Sequence, residues 1–328
     1  KNAAGGVHLL WGGPRPEGGA VDLGSVVLID GADAGDLAGR SLACGDLDGD
    51  GFGDIMIGVP NGGGPGNIRA QGGEVAVIWG RSKIAMGEHK DLATDTDMVV
   101  YGADAGDNAG TSVAVADYDG DGFGDLVVGE PLGDAVSNTK VNAGEVYLIY
   151  GKVRGSWPAS TDLLAGIVGI GKGFVGTETG DLLGNCVIGG DMDGDGKGEV
   201  VMDATLADGN TNSRLSCGEI YLFFGGLRTS TPDLISNVTT ALNVRVIGAQ
   251  SGDRAGSIMS MGDLDFDGKK DLAMGVPGSD SFLQTRTDAG EVVILYGFGQ
   301  SVPAILQTID AAADESGAGV MVKWSTLS

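Results

Sequence analysis

One pattern, D-x-D-x-D-G-x-x-D/E, occurs four times in this chain of 328 residues, beginning at Asp46, Asp117, Asp191 and Asp263. The starts lie 71, 74 and 72 residues apart. A second signature, Gly-Glu followed by an apolar run and a further Gly, places its acid at Glu74, Glu145, Glu219 and Glu291, always 28 residues after the first Asp. A third, a small or apolar residue followed by Gly, puts Gly39, Gly110, Gly184 and Gly256 always 7 residues before that Asp. All length variation is confined to the stretch after the Gly-Glu run. A unit that varies at only one place is a packed unit repeated in space.

Each unit reads as four short strands, exemplified by 40–45, 55–59, 75–79 and 98–101 in the first. The runs are short, β-branched and bounded by Gly, Pro, Asn or Asp, which favours strands over helices. Four strands per unit arranged radially make a β-propeller blade, so the expected fold is all-β. The expected divisions are a partial blade at 1–30, blades at 31–102, 103–176, 177–248 and 249–310, and the start of a further blade at 311–328. The alternative is a closed five-bladed ring. The terminal strands, Val7 to Trp11 and Val320 to Trp324, are expected to be completed by additional polypeptide, because an incomplete blade leaves an unpaired edge. An aromatic recurs at the end of the third strand, at Trp11, Trp79, Tyr150, Phe224 and Tyr296. It serves either as a wedge between blades or as a stacking surface for sugars.

The acidic pattern has the chemistry of a calcium loop. Calcium takes six to eight oxygen ligands, and carboxylates at alternate positions of a curled loop supply them. In the first loop the ligands are Asp46, Asp48, Asp50, the Phe52 carbonyl and Asp54. In the second they are Asp117, Asp119, Asp121, the Phe123 carbonyl and Asp125. The third offers Asp191, Asp193, Asp195, the Lys197 carbonyl and Glu199, and the fourth Asp263, Asp265, Asp267, the Lys269 carbonyl and Asp271. About four calcium ions are expected. An EF-hand shares the opening but closes with a bidentate Glu at position 12. Here that position is Ile57, Val128, Met202 or Met274, inside an apolar strand.

Taken together, these motifs resemble the FG-GAP repeats of integrin α-chain propellers over essentially the whole chain. The FG position reads Ala38-Gly39, Ala109-Gly110, Leu183-Gly184 and Ala255-Gly256. The GAP position reads Gly58-Val59-Pro60, Gly129-Glu130-Pro131 and Gly275-Val276-Pro277, whereas Asp203-Ala204-Thr205 has lost it. The resemblance implies calcium loops on one face and protein ligands on the other, with seven blades in a whole propeller.

Composition narrows the function. With 45 Asp and Glu against 20 Lys and Arg, the net charge of -25 disfavours nucleic acid and anionic membranes and favours cations. No apolar run approaches the ~20 residues of a membrane span, and the residues from Lys1 onward do not have the charged, apolar and small-residue pattern of a leader. Three cysteines make no disulfide framework, although Cys186 and Cys217 share a repeat and a bridge between them stays open. One sequon, Asn237-Val238-Thr239, is compatible with secretion. His8 and His89 recur with no partner and read as incidental, so no catalytic seat is evident and the chain is not expected to be an enzyme. A second acidic set, Asp33, Asp36, Asp104, Asp107, Glu178, Asp181 and Asp253, lies between fourth and first strands, where it either caps turns or meets a partner. The expected role is an extracellular or cell-surface adhesion or assembly module with a protein partner or further subunit. A glycan-binding propeller and an accessory propeller of a larger enzyme are the alternatives.

Overall fold

The computed structural model describes residues 2–12, 26–135, 138–167, 169–228, 233–235, 238–241, 244–280, 287–297, 308–313 and 320–325. Its strands form five sheets. Three are the expected antiparallel four-stranded blades. Blade 1 contains Leu42–Gly45, Asp54–Val59, Glu74–Ile78 and Met98–Tyr101. Blade 2 contains Ser112–Ala116, Asp125–Glu130, Glu145–Ile149 and Gly171–Val175. Blade 3 contains Leu183–Gly190, Glu199–Ala204, Glu219–Phe223 and Val244–Ile247. Blade 4 has three strands among the described residues, Met259–Gly262, Asp271–Val276 and Glu291–Leu295. An N-terminal sheet begins mid-blade with Gly6–Leu9 paired to Val27–Asp30.

The second and third strands are apolar almost without interruption because both of their faces are covered. Ile55, Ile57 and Val59 point one way and pack on Val7, Val27 and Ile29 of the N-terminal sheet. Met56, Val75 and Val77 point the other way and pack on Val113, Leu126 and Val128 of blade 2. The arrangement repeats between blades 2 and 3 and again between blades 3 and 4. Instead of one central core, the protein has a separate core between each successive pair of sheets. No strand of the N-terminal sheet pairs with one of the last sheet among the described residues.

The motif glycines hold the blades at this spacing. The Gly58 N–H donates to the Ser41 carbonyl within blade 1, and the Ser41 hydroxyl donates at 2.8 Å to the carbonyl of Gly110 in blade 2. A Cβ on Gly58 would lie 2.0 Å from that carbonyl oxygen. Gly129, Ser112 and Gly184 repeat the arrangement one blade on, with the hydroxyl bond at 2.7 Å. Blade 3 breaks the motif and repairs it by side chain. Cys186 replaces the serine, and the Asp203 carboxylate accepts the Cys186 N–H at 2.6 Å beside a bulge in the first strand.

Two features differ from the sequence reading. The variable connection after the third strand contains a further strand, which crosses over and pairs in parallel with the fourth strand of the preceding sheet. His89–Asp91, Ser160–Asp162, Asp233–Ile235 and Thr308–Ala313 all do this. Val320–Ser325, expected to open a further blade, instead pairs antiparallel with Thr308–Ala313 at the outer edge of blade 3. Its β-branched run finds a partner in the strand just before it in sequence, which is the shortest connection available to it. All three cysteines are free thiols, so Cys186 and Cys217 form no bridge. Asn237 of the sequon lies outside the described residues.

Candidate metal centres

Each acidic loop joins the first strand of its blade to the second, so four loops line the same end of successive sheets. Within a loop the first Asp curls the backbone around itself. Asp46 accepts the N–H groups of Gly49 (2.7 Å), Asp50 (3.1 Å) and Gly51 (2.9 Å). Gly51 has a φ of 83°, in the left-handed region that allows this turn. The Asp50 N–H donates to Asp48 Oδ1 and the Phe52 N–H to Asp50 Oδ1. The other loops repeat the pattern: Asp117 accepts from Gly122, Asp191 from Gly194 and Gly196, and Asp263 from Gly268. At position 7, Phe123, Lys197 and Lys269 donate their amides to Asp121, Asp195 and Asp267.

The carboxylate at the ninth position is bound to backbone amides of its own loop and of the end of its blade's third strand. Asp54, fully buried, accepts the Leu47 N–H at 2.8 Å and the Gly80 N–H at 2.7 Å. Asp125 does the same with Tyr118 and Gly151, and Asp271 with Leu264 and Gly297. Glu199 accepts from Met192 and, at 3.3 Å, from Gly225. One carboxylate therefore ties each loop to the end of the third strand of its blade. The glycine it reaches leaves no room for a side chain: a Cβ on Gly80 would lie 2.5 Å from the Gly53 carbonyl oxygen. Burial pushes Asp54 up to about 6 and Asp125 and Glu199 up to about 7, against the opposing pull of those amides.

Adjacent loops also bond to one another. The first Asp of one loop presents its carbonyl to the amide at position 8 of the next: Gly124 donates to Asp46 (2.7 Å), Gly198 to Asp117 (2.6 Å) and Lys270 to Asp191 (2.9 Å). The four loops form one hydrogen-bonded arc.

Carboxylate oxygens converge to within 4.8 Å of one another in every loop. The groups are Asp46, Asp48 and Asp50; Asp117, Asp119 and Asp125; Asp191, Asp193 and Glu199; and Asp263, Asp265 and Asp271. Hard oxygen donors crowded in this way fit a hard divalent cation of calcium type. Four of the expected carboxylates, Asp54, Asp121, Asp195 and Asp267, stand apart from these groups. Asp54 is engaged by its two amides. The other three are held by cations, Asp121 by Arg228, Asp195 by Lys197 and Asp267 by Lys269. Arg154 similarly joins Asp48 and Asp50, and neither arginine is evident from the loop pattern.

The second acidic set lies at the opposite end of the sheets. Asp36, Asp107 and Asp253 are buried and face their own turns, Asp36 accepting the Asp33 N–H and Asp253 the Gln250 N–H. Burial and neighbouring carboxylates push Asp107 and Asp181 up to about 7. Asp33 and Glu178 are exposed. Of the recurrent aromatics, Trp79 and Tyr150 are buried, while Tyr296 is 55% exposed. His89 pairs with Asp30 at 2.9 Å along an exposed strand.

Residues 38–78, 109–149 and 255–295 match the FG-GAP repeat family. The corresponding stretch of blade 3 is unmatched, which is where Asp203 replaces the motif glycine. Phosphatidylinositol-glycan-specific phospholipase D of Rattus norvegicus is 30% identical over 176 residues, 54% of this chain and 19% of that protein. Integrin alpha pat-2 of Caenorhabditis elegans is 28% identical over 295 residues, 86% of this chain and 21% of that protein. The chain thus spans about a fifth of the length of these curated relatives. Among solved structures, the V. cholerae biofilm matrix protein Bap1 aligns over 84% of this chain and 29% of its own at 18% identity, with a TM-score of 0.36.

Proposed function

We propose that this chain of FG-GAP repeats, similar to the integrin α propeller, is a calcium-stabilised extracellular module that binds another protein or subunit and is not itself catalytic. The metal reading rests on the four converging carboxylate groups and the arc of bonds joining them. Bound at those loops, calcium would neutralise carboxylates that otherwise repel one another. The chain's own residues supply the rest: the first Asp shapes the turn, and the ninth carboxylate fixes the loop to its blade.

The observation that carries the binding reading is an uncovered apolar face. Blades 1 to 3 bury both faces against neighbouring sheets. Among the described residues, the far face of blade 4 instead exposes Ile258 (74%), Val292 (72%), Ile294 (45%) and Tyr296. A contiguous apolar surface of that kind is a docking surface, and its chemistry suits a further β-sheet stacked as the other blades are. Light scattering with and without the substitution Ile294→Glu tests this. Association that weakens at unchanged melting temperature supports a protein-binding face, and association that is the same for both proteins refutes it.

The similarity to phospholipase D favours a second reading, an accessory propeller attached to a catalytic domain. In that case the same face docks on the enzyme portion. A glycan-binding role would run through exposed Tyr296, and loss of glycan-array signal in Tyr296→Ala would reveal it.

A further inference from the structure

Two arginines reach from one blade into the acidic loop of the blade before it. Arg154 follows the third strand of blade 2, yet its guanidinium lies in loop 1, on Asp48 through Nε and on Asp50 at 2.6 Å through Nη2. The same Nη2 approaches the Gly80 carbonyl at 3.4 Å, and the guanidinium carbon sits 5.7 Å from the ring centroid of Trp79. Arg228 follows the third strand of blade 3 and repeats each contact in loop 2. It bonds Asp119 through Nε, Asp121 at 2.5 Å and the Gly151 carbonyl at 2.9 Å through Nη2, and lies 4.6 Å from the centroid of Tyr150.

The two positions correspond, each four residues beyond the aromatic that ends its third strand, Tyr150 and Phe224. The matching residue after Trp79 is Lys83. Arg81, nearer to Trp79, turns back to Asp97 of its own blade and to no acidic loop.

The carboxylates that the guanidiniums occupy belong to the expected calcium ligands, and their other oxygens are already committed. Asp48 Oδ1 takes the Asp50 N–H and Asp50 Oδ1 takes the Phe52 N–H, so the guanidinium holds the remaining oxygen of each. Asp119 and Asp121 are engaged in the same way. A fork of two N–H groups spanning two carboxylates is the strong form of charge-assisted hydrogen bond. A cation entering either loop must displace that fork or share its oxygens against a positive charge a few ångströms away. In loops 3 and 4 the corresponding charge is a lysine from the loop itself, Lys197 or Lys269, bonded only to the fifth-position Asp and leaving Asp193 and Asp265 clear of it.

We infer that Arg154 and Arg228 are latches that compete with calcium, each fastening a blade to the acidic loop before it and yielding when that loop takes its ion. The inference rests on the calcium reading above. It makes ion binding at loops 1 and 2 a change in blade-to-blade contact, whereas among the described residues no arginine reaches loops 3 and 4. It also gives loop 1 its own optical reporter, because release of Arg154 uncovers Trp79, which packs 5.8 Å from Trp157.

Calorimetric titration with calcium chloride, paired with tryptophan fluorescence, tests it on the wild type, Arg154→Gln, Arg228→Gln and Arg81→Gln. Each latch substitution is expected to tighten one site about tenfold, equivalent to about 1.4 kcal/mol. Each should also lower the melting temperature in chelator. Arg154→Gln, and not Arg228→Gln, should lose the calcium-dependent tryptophan signal, and Arg81→Gln should match the wild type. Should Arg154→Gln fail to fold, Arg154→Lys keeps the charge without the fork and should tighten its site by a smaller factor. Wild-type binding with unchanged or weaker affinity in the latch variants overturns the latch and leaves the calcium sites standing. No calcium uptake by any of the proteins overturns both.

Discussion

Replacing Glu130 with valine should stabilise the protein, and more at alkaline than at acidic pH. Glu130 is fully buried in the second strand of blade 2, and neither carboxylate oxygen has a hydrogen-bond partner. It stands directly across the ladder from Glu145, with Asp107 and Asp104 beside them. The corresponding residues of the other blades are Val59, Ala204 and Val276, each opposite the same conserved-in-position glutamate, Glu74, Glu219 or Glu291. In blade 3 the Arg245 guanidinium bonds Glu219, whereas blade 2 has Gly173 at the matching position. Burial first, and then repulsion from Glu145 and Asp107, holds Glu130 well above the ordinary carboxylate range.

The sign follows from linkage. The folded protein retains a proton that the unfolded chain releases, so stability falls as pH rises from about 4.5 toward the folded value. An unsatisfied buried polar group costs about 1–3 kcal/mol, and a buried valine side chain returns about 1.5 kcal/mol. The expected gain for Glu130→Val is therefore about 2.5–4.5 kcal/mol at neutral pH. Urea unfolding at pH 5 and pH 8 measures it. A variant less stable than the wild type, or a gain identical at the two pH values, would refute the reasoning.

The motif glycines make a sharper structural test. Gly58→Ala and Gly129→Ala place a Cβ 2.0 and 2.1 Å from the carbonyl oxygens of Gly110 and Gly184, so each should cost several kcal/mol in a denaturant melt, at least ~3 by analogy with severe overpacking. Gly53→Ala meets no atom within 4 Å and should be nearly silent in the same melt. Asp48→Ala and Asp119→Ala should each remove one bound ion, counted by elemental analysis after dialysis, with similar losses of thermal stability because the two loops share one hydrogen-bond plan.

The blades were legible in the sequence because their constraints are local and repeated. A glycine that must sit against a neighbouring carbonyl, such as Gly58, or an Asp that curls its own loop, such as Asp46, leaves a mark at a fixed spacing. The crossover strands were not legible. His89–Asp91 and Ser160–Asp162 are three residues long, polar and without alternation, and their pairing is set by the edge of the fourth strand of another sheet. Val320–Ser325 is legible as a strand, but its partner is decided by the Thr308–Ala313 strand beside it. The latching arginines lay outside the loop pattern, and their signal was an arginine at one offset from the aromatic in two repeats. In the sequence, Glu130 stands out only as a variant letter of the GAP position. Its consequence emerged only with its cross-strand partner Glu145 and the absence of a counterpart to Arg245.

Calcium held at the four loops would govern both the stability of the blades and the state of the two arginines, and a melt of the purified protein with calcium chloride and then with excess chelator measures it. A site held at a hundred times its dissociation constant contributes about 2.7 kcal/mol. About four ions per chain are expected, from the carboxylate groups of the four loops, together with a large fall in melting temperature on chelation. A melting temperature that does not move, with no ion retained, would contradict it.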